Sequence, residues 1–148
     1  MTSSAPLKDS VPPHNNEAEV ATLGAILLNN EALGRVVAHI RARDFYRNAH
    51  REIFEAIVQL SERGEEIDLI TLTQELRSLG KLEAVGGAGY VSSLTSAVPT
   101  SANVEYYAKI VREMSVRRLL ITISHEMIAT AHNDSHSSRE ILEEAEKR

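Results

Sequence analysis

Six histidines, one glycine-rich run and two groups of arginines are the residues of this 148-residue chain whose types could do chemistry. The histidines are His14, His39, His50, His125, His132 and His136. His132 and His136 are four apart, but they straddle a polar stretch that reads as a loop. His125-Glu126 lacks the second histidine one turn on that a zinc-binding helix needs. No metal site is expected, and His50 reads as a packed core residue on the apolar face of its helix. Gly86-Gly87-Ala88-Gly89 has the glycine content of a phosphate loop. No strand precedes it and no Lys-Ser or Lys-Thr follows, so neither nucleotide pattern is met. These glycines are expected to permit a sharp turn and a close approach between helices. No nucleophile–base pair and no carboxylate pair stands out. On its own residues the chain has no catalytic, cofactor-binding or metal-binding site.

Arg35, Arg41, Arg43, Arg47 and Arg51 make a locally basic stretch, diluted by Asp44 and Glu52. Such a run is more often a solvated face than a phosphate site. Lys109, Arg112, Arg117 and Arg118 form a second group. Arg117 and Arg118 are the candidates for DNA contact. The acidic residues Glu140, Glu143, Glu144 and Glu146 are an equally good match for them by charge. The net charge of −5 lacks the basic excess of a stand-alone nucleic-acid binder. Weak or no DNA binding is expected, and an auxiliary single-stranded DNA-binding helical module is the alternative reading. Hydrophobic content of 43% and charged content of 25% are those of an ordinary soluble globular protein. Cysteine is absent, which removes disulfides and thiol chemistry. No apolar run is long enough to span a membrane, and no secretory signal is present. A cytoplasmic protein without membrane association fits these facts.

The elements that carry these residues are all helical. Residues 1–13 hold three prolines and no apolar period, and read as a flexible arm. Asn16 is placed to cap the first helix with Glu19 three residues on. Glu31–Ile40 reads as a second helix. Asn48 is placed to cap a third, carrying His50, Ile53, Phe54, Ile57 and Leu60 and stopping at Gly64. Thr71–Gln74 matches a capping box for a helix with Leu72, Leu76 and Leu79 that stops at Gly80. Leu82–Val85 is one turn. Tyr90, Val91, Leu94 and Val98 lie on a further helix ended by Pro99. Ser101–His132 is one long helix, and Ser137–Glu140 is a capping box opening the last. The expected architecture is all-α: a compact helical head over 14–98, then a long helical hairpin over 99–148.

Within the long helix the apolar face changes sides. At ~100° per residue, Val104, Tyr107, Ile110, Val111 and Met114 fall on one arc, opposite Glu105, Lys109, Arg112 and Glu113. Further on, Val116, Leu119, Leu120, Ile123 and Met127 take the arc of those charges, and Arg118, His125 and Glu126 take the former apolar arc. Two different packing partners follow. The alternative is a helix buried all round by its own domain. Seven large apolar residues lie in the second half, with Ile121 and Ile128 completing the set. At ~1.5–3 kcal/mol each for full burial, they rival the ~5–15 kcal/mol net stability of a domain.

An ordered series of phrases resembles a known family. Pro12-Pro13 precedes Glu17-Ala18-Glu19 and Leu23-Gly24. Asp44-Phe45-Tyr46 precedes His50 and Ile53-Phe54. Ile67-Asp68 precedes Thr71-Leu72, Leu76, Gly80 and Leu82. Gly86-Gly87 precedes Tyr90, Leu94, Pro99, Asn103-Val104, Tyr107-Ala108 and Ile110-Val111-Arg112. Arg118-Leu119 and Leu142–Ala145 complete it. Over residues 12–148 this resembles the N-terminal domain of the bacterial replicative DNA helicase, the DnaB family. The resemblance implies a hexameric ring that unwinds DNA with ATP and magnesium in a C-terminal RecA-like motor domain, absent from this chain. It implies a collar built as a trimer of dimers through paired hairpins, docking the C-terminal domain of primase. Self-association then falls to Val116, Leu119, Leu120, Ile123 and Met127. The positions matching primase contacts are Glu17, Tyr90, Ile121 and Met127. Leu142–Arg148 runs out with no helix stop, as expected of a cut short of the motor.

Overall fold

The computed structural model describes residues 11–98 and 100–148. Seven α-helices run through them: α1 (Asn16–Leu28), α2 (Ala32–Val37), α3 (Asn48–Glu62), α4 (Leu69–Ser78), α5 (Gly87–Ser93), α6 (Val104–His132) and α7 (Ser138–Lys147). Short 3₁₀ turns occupy Ala42–Asp44 and Leu94–Ala97. Among the described residues there is no strand, as the helical periodicity requires. The arm expected over 1–13 lies, for residues 1–10, outside the described residues, as does Pro99. The chain divides into two compact units. One is His14–Ser115; the other takes in Val116–Arg148 with Val11–Pro13. The division falls inside α6.

In the first unit, the head, α1 is the central helix: eight of its residues between Ala18 and Ile26 are buried. It can lie so deep because Gly24 brings it against the Leu94–Ala97 turn. A Cβ on Gly24 would fall 2.2 Å from the Leu94 carbonyl oxygen. Ile53, Phe54, Ile57 and Leu60 of α3, Leu72 and Leu76 of α4, and Val104, Ala108 and Val111 of α6 close the core around it. Phe45 and Phe54 lie at its centre with ring centroids 5.2 Å apart.

Several boundaries differ from the sequence expectation. Asn15, not Asn16, caps α1, accepting from the Ala18 N–H at 2.9 Å. Glu19 does not complete a box because its carboxylate turns into the core. α2 is shorter than Glu31–Ile40, covering only Ala32–Val37. Asn48 is the first residue of α3, not its cap. The capping box of α4 sits three residues before the expected one: Asp68 accepts from the Thr71 N–H at 2.8 Å and its own N–H donates to Thr71 Oγ1 at 2.9 Å. Leu79, expected on the apolar face, is 40% exposed past the end of that helix. The stops hold. Gly64 and Gly80 have φ of 73° and 70°, and each closes a double backbone turn at its helix end.

In the second unit, α7 opens with the expected box. The Glu140 N–H donates to Ser137 Oγ at 3.2 Å, and the Ser137 N–H donates to Glu140 Oε1 at 2.8 Å. Those bonds hold the Glu140 carboxyl below the usual carboxylate range. Arg148 at the far end folds back onto α6, its Nη1 donating to Glu126 Oε1 at 2.7 Å.

Candidate functional site

The apolar residues from Val116 onward set the hairpin apart. Leu119, Leu120, Ile121, Met127 and Ile128 are 56%, 58%, 43%, 37% and 57% exposed. Val116 and Ile123 are half-buried. Val116, Leu120, Ile123 and Met127 step by four, three and four, so they share one helix face. The alternative of a long helix buried all round by its own domain is therefore wrong: only Val104, Ala108 and Val111 of α6 are buried. Asp44 anchors that first half, with its Oδ1 accepting from Arg112 Nη1 at 3.1 Å and from Ser115 Oγ at 2.7 Å. No local pattern announces this anchor, which spans some seventy residues.

Of the two candidate DNA-contact arginines, Arg118 donates to the Pro13 carbonyl oxygen at 2.8 Å. The ion pairs linking the acidic last helix back to the chain run through Arg148, to Glu126 and Glu144. In the earlier arginine run Arg35, Arg41, Arg43 and Arg47 are exposed, and three of the five hydrogen-bond to the protein itself. Arg41 donates to the Val37 and Ile40 carbonyls, Arg51 to the Phe45 carbonyl at 2.6 Å, and Arg47 to Asn16 Oδ1 at 3.3 Å.

Tyr90 is reached from beneath by a buried network. Glu19 and His50 are 2% and 0% exposed. The Glu19 carboxylate accepts from the Tyr46 N–H at 2.6 Å and from His50 Nδ1 at 2.7 Å, and the remaining His50 nitrogen pairs with the Tyr90 hydroxyl at 2.5 Å. The His50 and Tyr90 rings stack with centroids 5.9 Å apart. Burial pushes the Tyr90 phenol above its ordinary value, against the opposing charge of Arg47. His50 is thus the core residue its helical phase announced. Its carboxylate partner lies 31 residues away, and Glu19 itself reads in sequence as a capping residue.

Glu17 is exposed on α1, and Tyr90 is partly buried on α5; both belong to the head. Ile121 and Met127 are exposed on the hairpin. Gly86, with φ 112°, is required by its neighbour too: a Cβ there would lie 2.9 Å from the Tyr90 Cβ. The close approach between segments falls to Gly24 instead. Among the described residues no group of three or more His, Cys, Asp or Glu could hold a metal ion, and no helix is long and apolar enough to cross a membrane.

Comparison with known proteins agrees with this layout. Residues 11–113 match the DnaB-like helicase N terminal domain. The chain is 46% identical over 141 residues to the replicative DNA helicase DnaB of Treponema pallidum, covering 95% of this chain and 32% of that protein. It therefore spans about a third of the length of the curated relatives it matches. The N-terminal domain of DnaB helicase from Mycobacterium tuberculosis superimposes with a TM-score of 0.86 at 37% identity, over 93% of this chain and 96% of that one. The N-terminal domain of DnaB helicase from Helicobacter pylori, described with its interactions with primase, shares the fold at 22% identity. Its TM-score is 0.69 over 79% of this chain and 91% of that one. An all-helical head centred on α1, followed by a long helix and a capped final helix, belongs in sequence and in structure to the DnaB-like helicase N-terminal domain family.

Proposed function

We propose that this chain is the N-terminal collar domain of a hexameric replicative DNA helicase, joining subunits through its hairpin and receiving the C-terminal domain of primase. It catalyses nothing itself. ATP and magnesium belong to the motor domain of the full-length helicase, acting in the cytoplasm. One observation carries self-association: Leu119, Leu120 and Ile128 stand more than half exposed close together on one helix, in a stretch from Val116 onward that buries none of its large apolar residues. Apolar surface of this extent calls for a cover. The Helicobacter pylori domain of the same fold supports primase as the second partner. Glu17 and Tyr90 on the head, and Ile121 and Met127 on the hairpin, are the candidate contacts. With Arg118 engaged by Pro13, DNA binding by this chain is expected to be weak or absent.

Light scattering at rising concentration tests the first role. The wild type is expected to dimerise or assemble further, and Leu120→Asp and Ile123→Asp to remain monomeric with the head's melting unchanged. A wild type that stays monomeric throughout overturns the interface. For the second role, titration of the cognate primase C-terminal domain is expected to weaken about tenfold or more with Tyr90→Ala or Ile121→Asp. Unchanged affinity removes those residues from the site.

A further inference from the structure

A groove runs between α2 and α3 on the head, away from every residue assigned above. Two adjoining hollows of about 470 and 430 Å³ share Val37, Val58 and Glu62. The floor is apolar, formed by Val37 and Val58 with Leu33 and Phe54. The rim is acidic: Glu31, Glu55 and Glu62 line it and are exposed. The ion pairs nearby are made with other carboxylates: Arg63 pairs with Glu65 and Glu75, and Lys81 with Glu52, although the Lys81 charge also reaches Glu55. The one cation in the lining, Arg41, donates to the Val37 and Ile40 carbonyls.

Gly34 adds an independent observation. It sits in the middle of α2, where glycine is the poorest choice after proline. Its backbone is not left-handed, and a Cβ built on it meets nothing within 4 Å. Neither conformation nor internal packing therefore demands glycine at this position, in contrast to Gly24. Because Gly34 lines the groove, what its missing side chain leaves open is room for an incoming backbone.

We propose that this groove docks an amphipathic helix of another protein, one whose apolar face is flanked by lysine or arginine. Apolar anchors at helical spacing fill the Val37–Val58 floor, the helix backbone passes close over Gly34, and its cations face Glu31, Glu55 and Glu62.

The test is an NMR titration of the ¹⁵N-labelled chain with a synthetic helical peptide of about 14 residues, leucines on one face and lysines on its flanks. A scrambled peptide of the same composition serves as control. Saturable shifts are expected at Gly34, Val37, Val58 and Gln59. Gly34→Leu fills the floor, and Glu55→Lys with Glu62→Lys reverses the rim. Each is expected to weaken binding about tenfold, with the melting temperature of Gly34→Leu equal to or above wild type. Shifts confined to Leu119–Ile128, equal binding of the scrambled peptide, or wild-type affinity in a folded Gly34→Leu variant overturns the proposal. Groove shifts on concentrating the protein without peptide also overturn it, by placing a second copy there.

Discussion

The head and the hairpin use similar amphipathic helices and dispose of their apolar faces in opposite ways. Among the described residues every buried apolar side chain lies between Ala18 and Val111, and Val116–Arg148 contributes none. The head is held by contacts distant in sequence, such as Glu19 with His50, Asp44 with Ser115 and Asn30 with Ile67. The hairpin is tied by caps and surface ion pairs, such as Ser137 with Glu140 and Arg148 with Glu126 and Glu144. Caps and surface pairs define where helices begin and end, but each contributes little to packing. A fold can thus be finished in one half while the other keeps large apolar side chains in solvent.

This contrast breaks if a hairpin truncation costs as much as a core truncation in the same dilute sample. Phe54→Ala is expected to lose about 3–5 kcal/mol in denaturant unfolding, while Leu120→Ala changes the head by no more than about 0.5 kcal/mol. Next in size, Glu19→Ala strands the Tyr46 N–H and His50 Nδ1 and is expected to cost about 2–3 kcal/mol. Equal stability to wild type would show that the buried network is dispensable. Ser137→Ala removes the α7 cap. It is expected to cost about 1 kcal/mol locally, seen as faster amide exchange in α7 with the head's exchange unaltered.

The smallest effect is one of pH. The Arg63 guanidinium beside Glu75 holds that carboxyl below its ordinary value of 4.5. A depressed carboxyl contributes stability that is complete above the unfolded-state value and is lost as pH falls through the folded-state value. The head's melting temperature should therefore decline below pH 4.5, and Glu75→Gln should make that decline shallower. An identical acid profile in the variant would remove Glu75 from the account.

Much of this was legible because it is local. Gly64 and Gly80 stop their helices where the pattern ends, Ser137–Glu140 is the box it reads as, and the apolar arc from Val104 to Val111 is the one turned to the head core. The caps at Asn15 and Asp68 were displaced because several polar residues in a row can each cap, and tertiary contacts choose among them. Glu19 is the clearest case. Its spacing from Asn16 suits a capping box, but the Tyr46 N–H and His50 claim its carboxylate. The Asp44 anchor and the α2–α3 groove depend on residues far apart in the chain, where periodicity carries no information.

The His50–Glu19 pair also supplies the molecule with a clock. The proton between Nδ1 and the carboxylate is enclosed by a side chain with no solvent exposure, so it can trade with water only when the head opens around it. Imidazole protons on surface histidines vanish from spectra through rapid exchange; this one should persist as a separate resonance, and its lifetime should report how often α1 and α3 part company.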